Sequence, residues 1–208
     1  MRAGQTLVDS SGTQVALFPL EYINISQGEN GTYSHQGILA IDFLGWGSNG
    51  RVLRCPYYAP FDCHVVYHGS YYVVWQSDNQ VITPDGKKYV SFEVAHDDNP
   101  PAYGTRASQG SLIGYTGTNP PESVTGDHVH LNSCFGIYRG FYTVSSGKRQ
   151  LVNSSHIYDT FYVNDTTILN GYGYNWKTYQ GGHPGPSHYT KYKFKWVLYA
   201  NKIRNRNV

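Results

Sequence analysis

The stretch Gly126-Asp127-His128-Val129-His130-Leu131-Asn132 constrains this chain more than any other. Apolar and polar residues alternate with the period of a strand that faces a core on one side only. Val129 and Leu131 therefore point inward together, while His128 and His130 share the opposite face, about 6.6–7 Å apart along the strand. Two imidazoles so placed suit a metal site, because one nitrogen can bind a first-row ion at about 2.0–2.1 Å while the other ring handles protons nearby. Two histidines alone do not hold zinc, and a His-x-His pair also serves as an ordinary polar strand face. The reading therefore depends on what distant parts of the chain supply.

Those parts read as short strands and turns. The chain has 208 residues, 39% of them hydrophobic, enough to bury one core with an elaboration. Its 23 glycines, 20 tyrosines and single methionine favour strands over long helices. Val15 to Leu20, broken by Pro19, predicts a first strand, followed by a Gly/Asn-rich loop through Gly31. Ile38 to Phe43 is short, apolar and glycine-bounded, a buried strand carrying Asp42 among apolar neighbours. A charge buried there without a partner costs several kcal/mol, so Asp42 requires a metal ion, an arginine or backbone amides. Ala59 to Val66 is a turn feeding a strand, Tyr71 to Trp75 is another, and Ile82 to Lys87 is a Pro/Gly turn. Lys88 to Asp97 alternates as a strand that ends on His96, and Gly110 to Thr118 is a glycine-punctuated strand and turn. In the C-terminal part, Thr190 to Leu198 predicts a strand with Tyr192, Phe194 and Trp196 on one face and three lysines on the other.

Charge and cysteine content remove several function classes. A formal net charge of +2 gives no strong basic face, which argues against nucleic acid as a partner. Six lysines and arginines fall between Ser187 and the C-terminus with no acid, the pattern of a solvated edge or of a surface for an anionic partner. Cys55, Cys63 and Cys134 match no zinc-ribbon or redox spacing and read as free thiols. Met1-Arg2-Ala3-Gly4-Gln5 has no apolar leader core, and no run approaches the roughly 18 apolar residues of a membrane span. The expectation is a protein without a signal peptide or membrane span.

His35, Asp42, His96, His128 and His130 together resemble the lysostaphin-like zinc endopeptidases, the M23 peptidase family. That family has a His and an Asp near its start, a lone His at the end of a middle strand and a terminal His-x-His. Gly110 to Gly117 resembles the stretch before the last pair, and Ala59-Pro60 resembles the family's Ala-Pro turn. The resemblance spans roughly residues 32 to 136, with one departure: six residues separate His35 from Asp42 where the usual form has three. It implies a mostly β, antiparallel catalytic domain over residues 1–136 and a Tyr-rich extension over 137–208 packed on it. It implies His35, Asp42 and His130 as zinc ligands, His96 and His128 as catalytic histidines, and Tyr33 as a tyrosine near the oxyanion. Two nitrogens, one carboxylate and an open fourth position is the donor set of a catalytic rather than a structural zinc site. Asp62 and His64 form a competing Asp-x-His pair, with Asp62 the alternative carboxylate ligand, while His68, His156, His183 and His188 have no matching context.

The substrate this implies is bacterial peptidoglycan, cut at a peptide bond. Absence of an export signal points to a phage product, a tail-tip protein of the virion that opens the wall during genome delivery, with other tail proteins as partners. The alternatives are an endolysin acting at lysis and a non-catalytic tail-tip or wall-binding protein on the same fold.

Overall fold

A computed structural model describes residues 1–162. The strands in its first half are β1 (Ile25–Gln27), β2 (Ile41–Phe43), β3 (Trp46–Gly47), β4 (Gly50–Arg51), β5 (Pro56–Tyr58), β6 (Cys63–His68), β7 (Tyr72–Ser77) and β8 (Val81–Thr83). There follow β9 (Gly86–Lys88), β10 (Val90–Ala95), β11 (Arg106–Ala107), β12 (Leu112–Tyr115), β13 (Val129–Phe135), β14 (Phe141–Thr143), β15 (Arg149–Leu151) and β16 (Ser154–Ser155). A single helical turn, α1 (Ile157–Thr160), comes last. The protein is thus mostly antiparallel β, as its alternating segments predict. The strand expected at Thr190–Leu198, the basic C-terminal stretch, His183 and His188 lie outside the described residues. Among the described residues no helix is long and apolar enough to cross a membrane.

One sheet organises the molecule, in the order β1-β2-β13-β10-β7-β6-β11, with β16 also pairing β13. Its centre is the set of longest strands, β13, β10, β7 and β6, and β13 sits between β2 and β10. The register places Val129 opposite Phe43, and Leu131 between Ile41 and Val94. With Phe92, Trp75 and Val65 these residues make the inner face of the main core. Ala16, Phe18 and Leu20 from the N-terminal segment and Ile157 and Phe161 from the α1 region cover that face. Phe92 meets Phe61 and Phe161 edge to face at 5.7 and 5.9 Å between ring centroids. Each such fully buried ring contributes about 1.5–3 kcal/mol of transfer free energy.

The opposite face is apolar over only half its length. Val74, Cys134 and Leu151 form a small second cluster there, joined by Tyr138 and Phe141 from the segment leading into the β14–β15 hairpin. The apolar residues of the hairpin stop short of Asp42, Ala95 and His130, which share this face further along the strands.

Two local expectations are corrected. Val15 to Leu20 makes isolated bridges, Val15 with Ile82 and Leu17 with Tyr162, rather than a strand. Its backbone groups go to several partners in turn, with Ala16 N–H donating to Ile82 O, Leu17 N–H to Pro60 O and Phe18 N–H to Tyr162 O, and Pro19 prevents a ladder from continuing. Ile38 belongs to a loop, donating its N–H to His35 O and accepting from Asn30 N–H, so the strand begins only at Ile41. The Ile82–Lys87 turn is the tip of the β8–β9 hairpin.

Candidate metal centre

Three separate elements bring one donor atom each to a common point. The loop before β2 carries His35, whose N–H donates to Gly31 O and whose Nδ1–H donates to Gly28 O at 3.0 Å. That second bond fixes the tautomer and leaves the Nε2 lone pair facing inward. Asp42 projects from β2 between inward-facing Ile41 and Phe43, and Gln27 Nε2 donates to its Oδ2 at 2.9 Å, leaving Oδ1 for the site. His130 lies directly across from Asp42 on β13, and Ala95 flanks it on β10, where a methyl leaves the ring room.

The three donors form a nearly equilateral triangle. His35 Nε2 is 3.2 Å from His130 Nδ1, His130 Nδ1 is 3.1 Å from Asp42 Oδ1, and His35 Nε2 is 3.2 Å from Asp42 Oδ1. Donors at about 2.0–2.1 Å from a tetrahedral ion stand about 3.3 Å apart, so the triangle fits zinc with one coordination position left over. Burial alone would push the Asp42 carboxyl up, but hydrogen bonds from His130 and His35 and their positive character hold it well below the usual range. Burial would likewise lower His130, and the Asp42 carboxylate, with Glu93 behind it, raises it instead. Both shifts express a site whose carboxylate carries its charge and draws positive charge toward it.

His96 and His128 stand beside this triangle. Their ring centroids are 4.5 Å apart, and His96 is 6.0 Å from His130. His128 Nε2 lies 3.7 Å from Asp42 Oδ1. Each ring donates its Nδ1–H to a carbonyl, His96 to Asn119 O at 2.8 Å and His128 to Gly126 O at 2.7 Å, so each keeps a basic Nε2. His96 has φ +81°, a left-handed conformation unusual for a non-glycine residue. Its backbone is held there from both sides, N–H to Tyr71 O at 2.9 Å and O from Asn119 N–H at 3.2 Å. Gly117 makes this possible, because a Cβ there would sit 2.1 Å from His96 O. Burial, reinforced by His128 and His130, lowers His96 to about 4, so its ring is a neutral base near pH 7.

All six predicted site residues line one cleft of about 570 Å³. Tyr33 is at its rim, 71% exposed. Asp62 and His64 fall elsewhere: Asp62 Oδ1 accepts from Gln109 N–H at 2.8 Å, and His64 Nδ1 meets Asp78 Oδ1 at 2.5 Å on the β6 edge of the sheet. His68 caps Pro101 O, and His156 meets Glu29. Gln27, Glu93, Lys148 and Arg149 also line the cleft and escaped sequence reasoning. Glu93 left a trace in the strand pattern, an acid two residues from Ala95 on the site face, whereas Arg149 reaches it only through tertiary folding, at 2.7 Å from Glu93 Oε1.

No protein-family model matches the chain. Morphogenesis protein 1 of Bacillus phage B103 is 43% identical over 176 residues, which cover 81% of this chain. The chain spans 46% of that relative, about half its length. Among solved structures, Helicobacter pylori Csd3 is 14% identical with a TM-score of 0.38, over 96% of this chain and 46% of that one. The deep-sea M23 metalloprotease pseudoalterin is 14% identical with a TM-score of 0.40, over 69% of this chain and 98% of that one.

Proposed function

We propose that this chain is a zinc endopeptidase that hydrolyses peptide bonds in bacterial peptidoglycan and is carried in a phage virion, at the tail tip. The observation that carries the chemistry is the donor triangle of His35, Asp42 and His130 beside two histidines whose Nδ1 protons are already committed to carbonyls. In this reading His35, Asp42 and His130 would hold zinc at the floor of the cleft. When bound, zinc supplies Lewis acidity to a peptide carbonyl and acidifies water. His96, neutral and fixed in orientation, would accept the proton from the attacking water, and His128, once protonated at Nε2 as well, would donate that second N–H toward the charge that builds on the carbonyl oxygen. Tyr33, at the rim, would assist there. Residues 1–136 form the catalytic domain, and of the extension that begins at residue 137 the described part, to residue 162, packs on it.

The choice of wall peptide follows from the resemblance in order and type of the five polar residues. The virion assignment draws on the name of the phage B103 relative, which points to particle assembly rather than lysis. Zinc-loaded protein should release new amino groups from purified peptidoglycan, and chelation should stop it. Full zinc occupancy without release of amino groups would leave a wall-binding or structural role. Mass spectrometry of purified particles separates the other alternative: presence only in late lysates would make the protein an endolysin.

A further inference from the structure

The walls of the cleft differ in charge. On the side of His96 and His128, Pro120, Ser123, Val124 and Thr125 contribute no charge, and on the β1 side Ser26, Gln27 and Ser34 are neutral as well. The two acids that line it are already engaged, Asp42 with the histidines and Glu93 with Arg149 at 2.7 Å. Among the described residues, apart from the histidines, all of the cleft's positive charge belongs to Lys148 and Arg149, where the β14–β15 hairpin meets the His35 loop. Arg149 is fixed, its guanidinium 3.8 Å from the Tyr72 ring centroid and 4.1 Å from that of Phe141. Lys148 makes no ion pair among the described residues.

The backbone that carries Lys148 is also held in place. Val144 N–H donates to Lys148 O at 2.8 Å and closes the hairpin turn. The hairpin is tied to the His35 loop by Ser146 Oγ on Gln36 O and by Gln150 Oε1, which accepts from Leu39 N–H at 2.7 Å. A Cβ on Gly37 would touch Val144 at 3.5 Å, so the two loops are in van der Waals contact. A cation with no ion-pair partner among the described residues, on a backbone anchored at one end of a cleft whose acids are neutralised, is a receptor for an anionic group.

We propose that Lys148, with the outer edge of the Arg149 guanidinium, forms a subsite for a carboxylate of the bound peptide. The substrate then lies with its anionic end toward the His35 loop and its uncharged end toward residues 120–126. This inference takes its substrate class from the endopeptidase reading. The test compares two synthetic cross-linked wall peptides, identical except that the free carboxylates of one are carboxamides in the other. For the wild-type chain, kcat/KM for the carboxylate peptide should exceed that for the carboxamide by about tenfold or more at low salt, as a charge-assisted hydrogen bond gives. In Lys148→Gln the ratio should fall to about one, and Lys148→Arg should restore it. A wild-type ratio near one, or one that Lys148→Gln leaves unchanged, overturns the subsite. Calorimetric Kd values for the same peptides on zinc-loaded His96→Ala protein give the ratio without turnover. A Lys148-dependent preference in Kd with no wild-type hydrolysis would support the subsite and sink the endopeptidase reading. Equal hydrolysis and equal binding of both peptides would sink the subsite alone.

Discussion

One face of the central sheet has two halves with opposite fates. Around Cys134 and Val74 it is covered by Leu151, Tyr138 and Phe141, and is as dry as the main core. Further along the same strands, around His130 and Ala95, the face lines an open cleft among the described residues, and this half holds the donor triangle and both flanking histidines. The backbone is the same antiparallel ladder throughout. The β14–β15 hairpin makes the difference: its apolar residues bury one half, and its Arg149 neutralises Glu93 at the border. Side-chain alternation selects a face of a strand, and what packs over that face decides whether it becomes core or site.

The comparison can be broken first at its open half, where the largest effects are expected. His130→Ala should remove bound zinc and all activity with it. His96→Ala should keep zinc while activity falls by about 10²–10⁴, the range for lost acid–base help. Elemental analysis alongside wall-digestion assays reads both, and loss of zinc from His96→Ala to the level of His130→Ala would show that His96 belongs to the triangle.

The covered half should respond in stability instead. Leu151→Ala, which truncates a fully buried side chain, should cost about 2–5 kcal/mol in denaturant unfolding, with zinc still bound by the folded fraction. A cost below about 1 kcal/mol would mean that the hairpin rests loosely on the sheet.

A smaller, graded effect belongs to the tether on the far side of the His35 loop. Glu29 is buried, its Oε2 2.7 Å from His156 Nδ1 and its Oε1 without a partner. Burial pushes its carboxyl up from 4.5 to about 9, against the pull of the Ile157 N–H. Between those values the unfolded chain holds fewer protons than the native one, so this group's contribution, complete below about pH 4.5, is lost as pH rises toward 9. Unfolding curves of Glu29→Gln should therefore fall less steeply with pH than wild type across that window, by at most about 1.4 kcal/mol per pH unit. Parallel curves would show that Glu29 is charged in the folded protein.

Much of the site's local geometry was legible in the sequence. Alternation placed His128 and His130 on one face, glycines marked the turns, and Asp42 among apolar neighbours announced a buried charge in need of partners. Apolar composition without alternation misled. The Val15–Leu20 run has strand composition, yet its backbone bonds go to three different segments and form no ladder.

What the sequence by itself determined is therefore the kind of side chain available and the face of its own strand on which each lies, because both follow from a period of two within one segment. Only the tertiary structure decided which carboxylate meets His130. Asp42 and Asp62 both precede it by tens of residues, and only the β2–β13 register sets Asp42 opposite the imidazole while the β6–β11 edge carries Asp62 away. Only the tertiary structure likewise brought Arg149 to Glu93 and left Lys148 facing the cleft. Register between strands distant in the chain is selected by burial summed over the whole sheet, a sum that no local window contains.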